Sequence, residues 1–386
     1  MSVGPAGGAD FPPIQVTAIL ALACTAGLVP TLQPLILGAL SAEGRLTAVQ
    51  IGQAAMLEAI GMGVSAGLAG SFLKPVRLRR LIVVTLLLGL IANLSATQLA
   101  GPGLLVARFM CGISSGLLVW LFAGLTARAV DPTRVGGMYV LAQGASGLAA
   151  AALLTAFALP RWGGAGGYFC LAGLDVVMLS MAAIAPMAYP DLASGEAGRK
   201  LEPRGAIALL AAFLHLAAIM ALWVYIVPVA EQTGQSAGVT GIGIWAALGA
   251  QILAGLVAAL YSARLRPAPA LILCSIVSVA AIAQIAAGPP SALFIAAATV
   301  FGFFWMFAIP FQIPFLIQVD PTRKAALILP SAQIFGVAAG PAIAAWTIVD
   351  GSVMGALWAS AGLFAASMAL MLFLSLRRRV AATASP

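Results

Sequence analysis

The sequence predicts an all-α integral membrane protein of twelve transmembrane helices, arranged as two pseudo-symmetric six-helix bundles with both termini cytoplasmic. Three features predict it: scarcity of charge, a series of continuous apolar runs of similar length, and basic residues sorted into alternate connecting segments. Of 386 residues, 62% are hydrophobic and 8% charged, where a soluble domain carries about 25% charged residues, so most of the chain faces lipid. A bilayer core of about 30 Å is crossed by about 20 apolar residues of helix. The runs are continuous rather than alternating, which fits helices and not the strands of a closed barrel.

In chain order, the first run, 14–38, follows a Gly/Pro-rich stretch with no basic region and no small-residue cleavage site, so it is expected to remain as a helix. Pro30 and Pro34 should kink it. The next five runs are 49–73, 81–99, 103–127, 136–159 and 165–188. The longest polar stretch, Tyr189 to Arg204, then divides the chain into an N-terminal bundle (1–190), an inter-bundle loop (191–204) and a C-terminal bundle (205–386). The remaining runs are 205–229, 238–263, 269–287, 290–317, 325–347 and 351–376, the tenth carrying Pro310 and Pro314.

Lys and Arg favour cytoplasmic loops. With the N-terminus inside, 16 of the 19 basic residues fall in cytoplasmic segments, leaving out only Arg45, Arg108 and Arg161. Adding or removing one span would reverse every later loop and destroy this asymmetry. The net charge of +8 is therefore an orientation signal, and it gives no support to nucleic-acid binding, which needs a soluble basic face. Cys24, Cys111, Cys170 and Cys274 lie in apolar runs without CxxC spacing, which argues against disulfides and metal binding. No nucleotide-binding motif is present, and no cofactor is expected.

The two halves echo one another. Val130-Asp131-Pro132-Thr133-Arg134 after the fourth span recurs as Val319-Asp320-Pro321-Thr322-Arg323 after the tenth. Ala-Gly-Pro opens both of those spans, at Ala100 and Ala287, and Gln143 and Gln333 follow the matching arginines. A duplicated six-helix unit, with both copies in one orientation, accounts for all three. The pentapeptide also has a local use, since Asp before Pro caps and starts the fifth and eleventh spans.

Together these features resemble the major facilitator superfamily, over the whole chain. Gly70, Arg79 and Arg80 match that family's signature loop after the second span, with Lys74 in place of its Asp and Arg77 in place of its second Gly. Arg108-x-x-x-Gly112-x-x-x-Gly116 is similar to its fourth-span pattern, in which the Arg is linked to proton coupling. The resemblance implies two bundles around a cavity that opens alternately to each side. It places Arg79, Arg80, Asp131, Arg134, Asp320 and Arg323 in gating loops.

Charged groups inside spans are functional candidates, because lipid penalises them. These are Glu58, Arg108, Asp175 and His215. Glu58 and Arg108 lie at similar depth and should interact, so that protonating Glu58 would free Arg108 for an anionic solute group; a static pair fixing helix packing is the alternative. His215, the single histidine, suits a proton switch or a packing role. Asp175 is the weaker candidate, because the sixth span is peripheral in the family resembled. Gln143, Trp223, Tyr225, Gln251, Trp305 and Gln333 offer the hydrogen bonds and ring faces of a solute pocket. Gly336-x-x-x-Gly340-Pro341 reads as close helix packing or as a hinge.

The expected function is secondary active transport of a small organic solute, favouring an organic or aromatic anion, coupled to protons across the cytoplasmic (inner) membrane. The protein would work as a monomer and not as an enzyme, since no catalytic constellation is present. A proton-antiport exporter of drugs or sugars is the alternative, and a non-transporting membrane sensor or enzyme the remote one.

Overall fold

The structure is a computed structural model that describes residues 11–130, 132–190, 201–261, 264–320 and 324–383. It falls into two compact units, Met1–Glu196 and Ala197–Pro386. The first holds α1 (Pro13–Ala42), α2 (Ala48–Phe72), α3 (Leu78–Ala96), α4 (Gly101–Thr126), α5 (Pro132–Leu153) and α6 (Leu159–Ile184), with a π-helical turn at Leu154–Ala158 joining the last two. The second holds α7 (Pro203–Trp223), α8 (Ile226–Gln232), α9 (Ala237–Tyr261), α10 (Pro267–Ala286), α11 (Ser291–Val319), α12 (Lys324–Trp346) and α13 (Met354–Thr383).

Helix starts follow local chemistry. Thr47 and Gln50 form a reciprocal capping box at α2, with Thr47 Oγ1 accepting from Gln50 N at 3.2 Å and Gln50 Oε1 accepting from Thr47 N at 2.9 Å. Proline at the first or second position opens α1, α4, α6, α7 and α10, where its missing N–H costs nothing.

Eleven helical stretches among the described residues are long and apolar enough to cross a membrane, and the chain is a multi-pass membrane protein. One stretch, Arg134–Ile184, has 51 residues, more than twice the length that one crossing takes. It covers the fifth and sixth predicted spans, which therefore do not end in an open loop. Instead the π turn is followed by Gly163, whose φ of 57° and ψ of −148° lie in a region essentially confined to glycine. The Glu43 carboxylate accepts from Gly164 N at 2.5 Å, serving the amide freed by that break.

The seventh predicted span differs too. Rather than one helix over 205–229, α7 ends at Trp223 and α8 begins at Ile226. Pro228 has no N–H, and its ring would collide with the carbonyl of Val224, so the helix breaks at Val224 and Tyr225.

Within each unit the packing partners repeat. α1 packs on α4, α5 and α6 while α2 pairs with α4 and α3 with α6; correspondingly, α7 packs on α11, α12 and α13 while α9 pairs with α11 and α10 with α13. The most intimate contacts use small residues, as expected where lipid supplies no hydrophobic drive between helices. Gly112 and Gly116 of α4 let it lie against the backbone of α2 at Glu58 and Met62, and Gly336 and Gly340 of α12 do the same against α7. The second pair is thus a packing device, whatever else it does. Hydroxyls add cross-helix bonds: Ser360 and Ser367 of α13 donate to Ala218 O and Ala211 O of α7 at 2.6 and 2.7 Å. Large apolar side chains, with Trp162 and Trp358 among them, remain exposed to the lipid.

A methyl group at Gly112 would run into the Glu58 carbonyl, a backbone atom that cannot turn aside. Gly112→Ala should therefore lower stability by about 1–3 kcal/mol, read as a fall in thermal midpoint of the detergent-solubilised protein. Gly137→Ala, where nothing lies within 4 Å, should leave that midpoint unchanged or raise it.

Candidate functional site

The first unit holds a chain of polar side chains through its interior. The close approach of α2 and α4 sets Glu58 and Arg108 side by side, 1% and 2% exposed. Arg108 Nε donates to Glu58 Oε2 at 2.9 Å, and Nη2 donates to the same oxygen. Arg108 Nη1 donates to Asn93 Oδ1 of α3 at 3.4 Å, and Asn93 Nδ2 donates to Asp175 Oδ2 of α6 at 2.9 Å. The guanidinium also lies 5.1 Å from the centre of the Tyr168 ring, a cation–π contact. Four helices thus contribute to one network: α2, α3, α4 and α6.

The pairing is incomplete. Both Arg108 N–H groups go to one carboxylate oxygen, and buried Glu58 Oε1 has no hydrogen-bond partner. Gln33 of α1 is close enough to interact with this carboxylate, but it does not complete a bond to Oε1. Beside Asn93 and Asp175 is a small void lined by Thr25, Ser114 and Ser115, with room for at most about one water.

Gln143 of α5 lies against Gly27 of α1, its amide buried with neither end bonded. Its expected counterpart Gln333 behaves differently, donating to Gln312 Oε1 of α11 at 2.9 Å. Gln251 of α9 is buried with Nε2 unpartnered. Trp223 at the end of α7 meets Trp305 of α11 edge to face, centroids 5.4 Å apart, and its Nε1 is unpartnered. Tyr225, fully buried, occupies the break after α7. His215 is also fully buried in the second unit, with Ser275 Oγ of α10 at 3.4 Å from Nδ1, the Phe364 ring of α13 edge-on at 5.1 Å and Nε2 unpartnered.

The loop candidates have local tasks. Arg79 Nε donates to Ala185 O at 2.8 Å, closing the end of α6. Arg77 takes a left-handed φ of 55° to start α3, and the loop before it is bonded to 187–189 through Leu78 N to Met187 O and Tyr189 N to Pro75 O. Arg80 and Arg134 are exposed. Asp320 is fully buried and its carboxylate accepts from Ala325 N at 2.8 Å, in the first turn of α12. Asp131 and Arg323 lie outside the described residues. Sequence reasoning missed Asn93, Tyr168 and Gln312. Asn93 and Gln312 were legible as polar residues inside apolar runs; Tyr168 carried no such signal.

The sequence matches no protein-family model and no curated protein sequence. Solved structures do match. The chain superposes on the nucleoside transporter NupG with a TM-score of 0.72 at 12% identity, covering 95% of this chain and 99% of that one. It matches the major facilitator superfamily transporter FucP, solved in an outward conformation, with a TM-score of 0.60 at 16% identity over 94% and 97%. The chain has the major facilitator fold. The human organic anion transporter MFSD10 shares this fold with it, at a TM-score of 0.60, 16% identity and coverage of 94% and 100%. In this chain the polar network belongs wholly to the first unit, and the Trp223–Trp305 and Gln312–Gln333 pairs belong wholly to the second.

Truncating one partner of a buried ion pair strands the other, at a cost of about 3–5 kcal/mol, whereas removing both can be nearly neutral. Arg108→Ala should accordingly lower the thermal midpoint far more than the double variant Glu58→Gln/Arg108→Leu. Equal midpoints for the two would show that Glu58 is not held by Arg108.

Proposed function

We propose that this protein is a secondary active transporter, not an enzyme, that carries a small organic anion across the cytoplasmic membrane together with protons. The observation that carries the reading is the unfinished Glu58–Arg108 pair. Arg–carboxylate pairs frequently use both oxygens in a two-pronged bond, but here both Arg108 bonds go to Oε2, and Oε1 has only the Gln33 side chain nearby and no completed hydrogen bond. Such a site gains from a proton on Glu58, and that proton releases the guanidinium to a solute carboxylate.

The second unit has neutral donors of its own. Trp223 Nε1, Trp245 Nε1, Gln251 Nε2 and Gln312 Nε2 are buried donors without acceptors, which a solute rich in oxygen would satisfy. The fold is compatible with such cargo: MFSD10 bears the name of an organic anion transporter and NupG that of a nucleoside transporter. We count Arg134–Ile184 as two crossings separated at Gly163, giving twelve, with both termini cytoplasmic from the distribution of Lys and Arg. Nothing in the mechanism requires more than one copy. Asp175, a second buried acid, is the feature that would favour export of cationic drugs by proton exchange instead.

Uptake into proteoliposomes, with organic acids and cationic drugs offered separately and with or without a pH gradient, decides between these. Acid uptake should rise with an inward-directed proton gradient. Arg108→Ala should cut it by more than about tenfold, equivalent to about 1.4 kcal/mol of lost binding, and Glu58→Gln should abolish its response to the gradient. Transport of cations, or indifference of both variants, would remove the anion-symport reading.

A further inference from the structure

The polar network of the first unit contains more acid than base. Glu58 and Asp175, 1% and 5% exposed, share a single guanidinium, that of Arg108. Arg45, another cation of the unit, has Glu43 at 3.8 Å and donates to the carbonyls of Ala96 and Leu99, so its charge is engaged elsewhere. The other groups around Asp175 are neutral. α3 presents Asn93, α4 presents Cys111, Ser114 and Ser115, α1 presents Thr25, and α6 itself carries Tyr168 beside the guanidinium. With both acids ionised the network would hold one uncompensated negative charge in a lipid-embedded interior, which is among the costliest arrangements a protein can adopt.

The geometry says which acid yields. Glu58 receives two N–H bonds from Arg108 directly, whereas Asp175 touches the cation only through Asn93, accepting one amide N–H at 2.9 Å. Ionisation is favoured by direct contact with the cation and disfavoured by a second carboxylate competing for it. We infer that Asp175 holds a bound proton in the resting protein and is the site at which the Glu58–Arg108–Asn93–Asp175 network exchanges that proton. The adjacent void gives a single water access to the Asp175 carboxyl. When the proton passes to that water, Asp175 competes with Glu58 for Arg108, and Asn93, whose Oδ1 accepts from Arg108 and whose Nδ2 donates to Asp175, transmits the competition. No other reactant is needed, because one O–H bond at Asp175 is broken and the proton passes to water. This inference concerns the protein's own protons and stands whether or not the solute is an anion.

Infrared spectroscopy of the purified, reconstituted protein tests it without any solute, through the carbonyl stretch of a protonated carboxylic acid. Wild type at neutral pH should show that band. Selective carboxyl-13C labelling of Asp should shift it, and the same labelling of Glu should not. Asp175→Asn, which keeps the shape of the neutral acid, should lose the band entirely while keeping the wild-type thermal midpoint. In Glu58→Gln one acid faces one guanidinium, the proton is no longer required, and the band should weaken at neutral pH. A band that moves with Glu labelling or survives in Asp175→Asn would overturn the assignment. So would its absence from wild type, or failure of Asp175→Asn to fold, since a neutral isostere of a protonated aspartate should be tolerated. Loss of transport with the band intact would count against the transport reading alone.

Discussion

A guanidinium buried in a lipid-embedded helix bundle must be answered inside the bundle, and the interior of the first unit is arranged around that requirement. Arg108 reaches Glu58 because α4 presents Gly112 and Gly116 to the backbone of α2, which brings the two helices closer than ordinary side chains allow. The same approach faces Arg108 toward Asn93 of α3 and the Tyr168 ring of α6. Small residues and charge are thus two halves of one device: without the glycines the pair could not form, and without the pair the arginine could not be buried. The helices are also tied by polar bonds that water would otherwise make, such as Ser114 Oγ of α4 donating to Thr85 O of α3 at 2.8 Å.

The second unit solves the same packing problem without charge. Its partners repeat those of the first, with Gly336 and Gly340 setting α12 against α7 and Gly302 setting α11 against α9. Away from the helix ends, however, its described interior relies on amides, hydroxyls, indoles and one imidazole. The two units therefore share a packing scheme while their interiors differ. Gln143 and Gln333 illustrate this: they follow matching arginines, yet one lies unbonded against a glycine while the other is tied to Gln312.

What could be read from the sequence follows the strength of the physical constraint behind it. Membrane-spanning helices were legible because lipid forces continuous apolar runs. The Glu58–Arg108 contact was legible because two charges at similar depth have few other solutions. The break at Gly163 and the split of the seventh run at Val224 were not read, although Pro228 signals the second; an apolar run records hydropathy and says little about where its backbone turns. Asn93 went unnoticed for a related reason. A neutral amide costs far less to bury than an ion, so it stands out only once its two partners are in view. Asp175 reads as the weaker candidate because its span is peripheral in the family resembled, but the position of a helix says nothing of the bond through Asn93 that ties this acid to Arg108.

The asymmetry between the two interiors also bears on the proposed proton chemistry. Hydrogen bonds from indole and amide donors are neutral, so they can hold and release a solute with little dependence on pH. Acids paired with a guanidinium respond to a single proton with a change in net charge, which a low-dielectric interior makes large. In the second unit the one imidazole, that of His215, is fully buried between Ser275 and the Phe364 ring, with no acid bonded to it among the described residues. Its environment suits a neutral ring that packs α7 against α10 and α13. In the proposed reading, proton responsiveness concentrates in the first unit, where the network bonds α2, α3, α4 and α6 to one another.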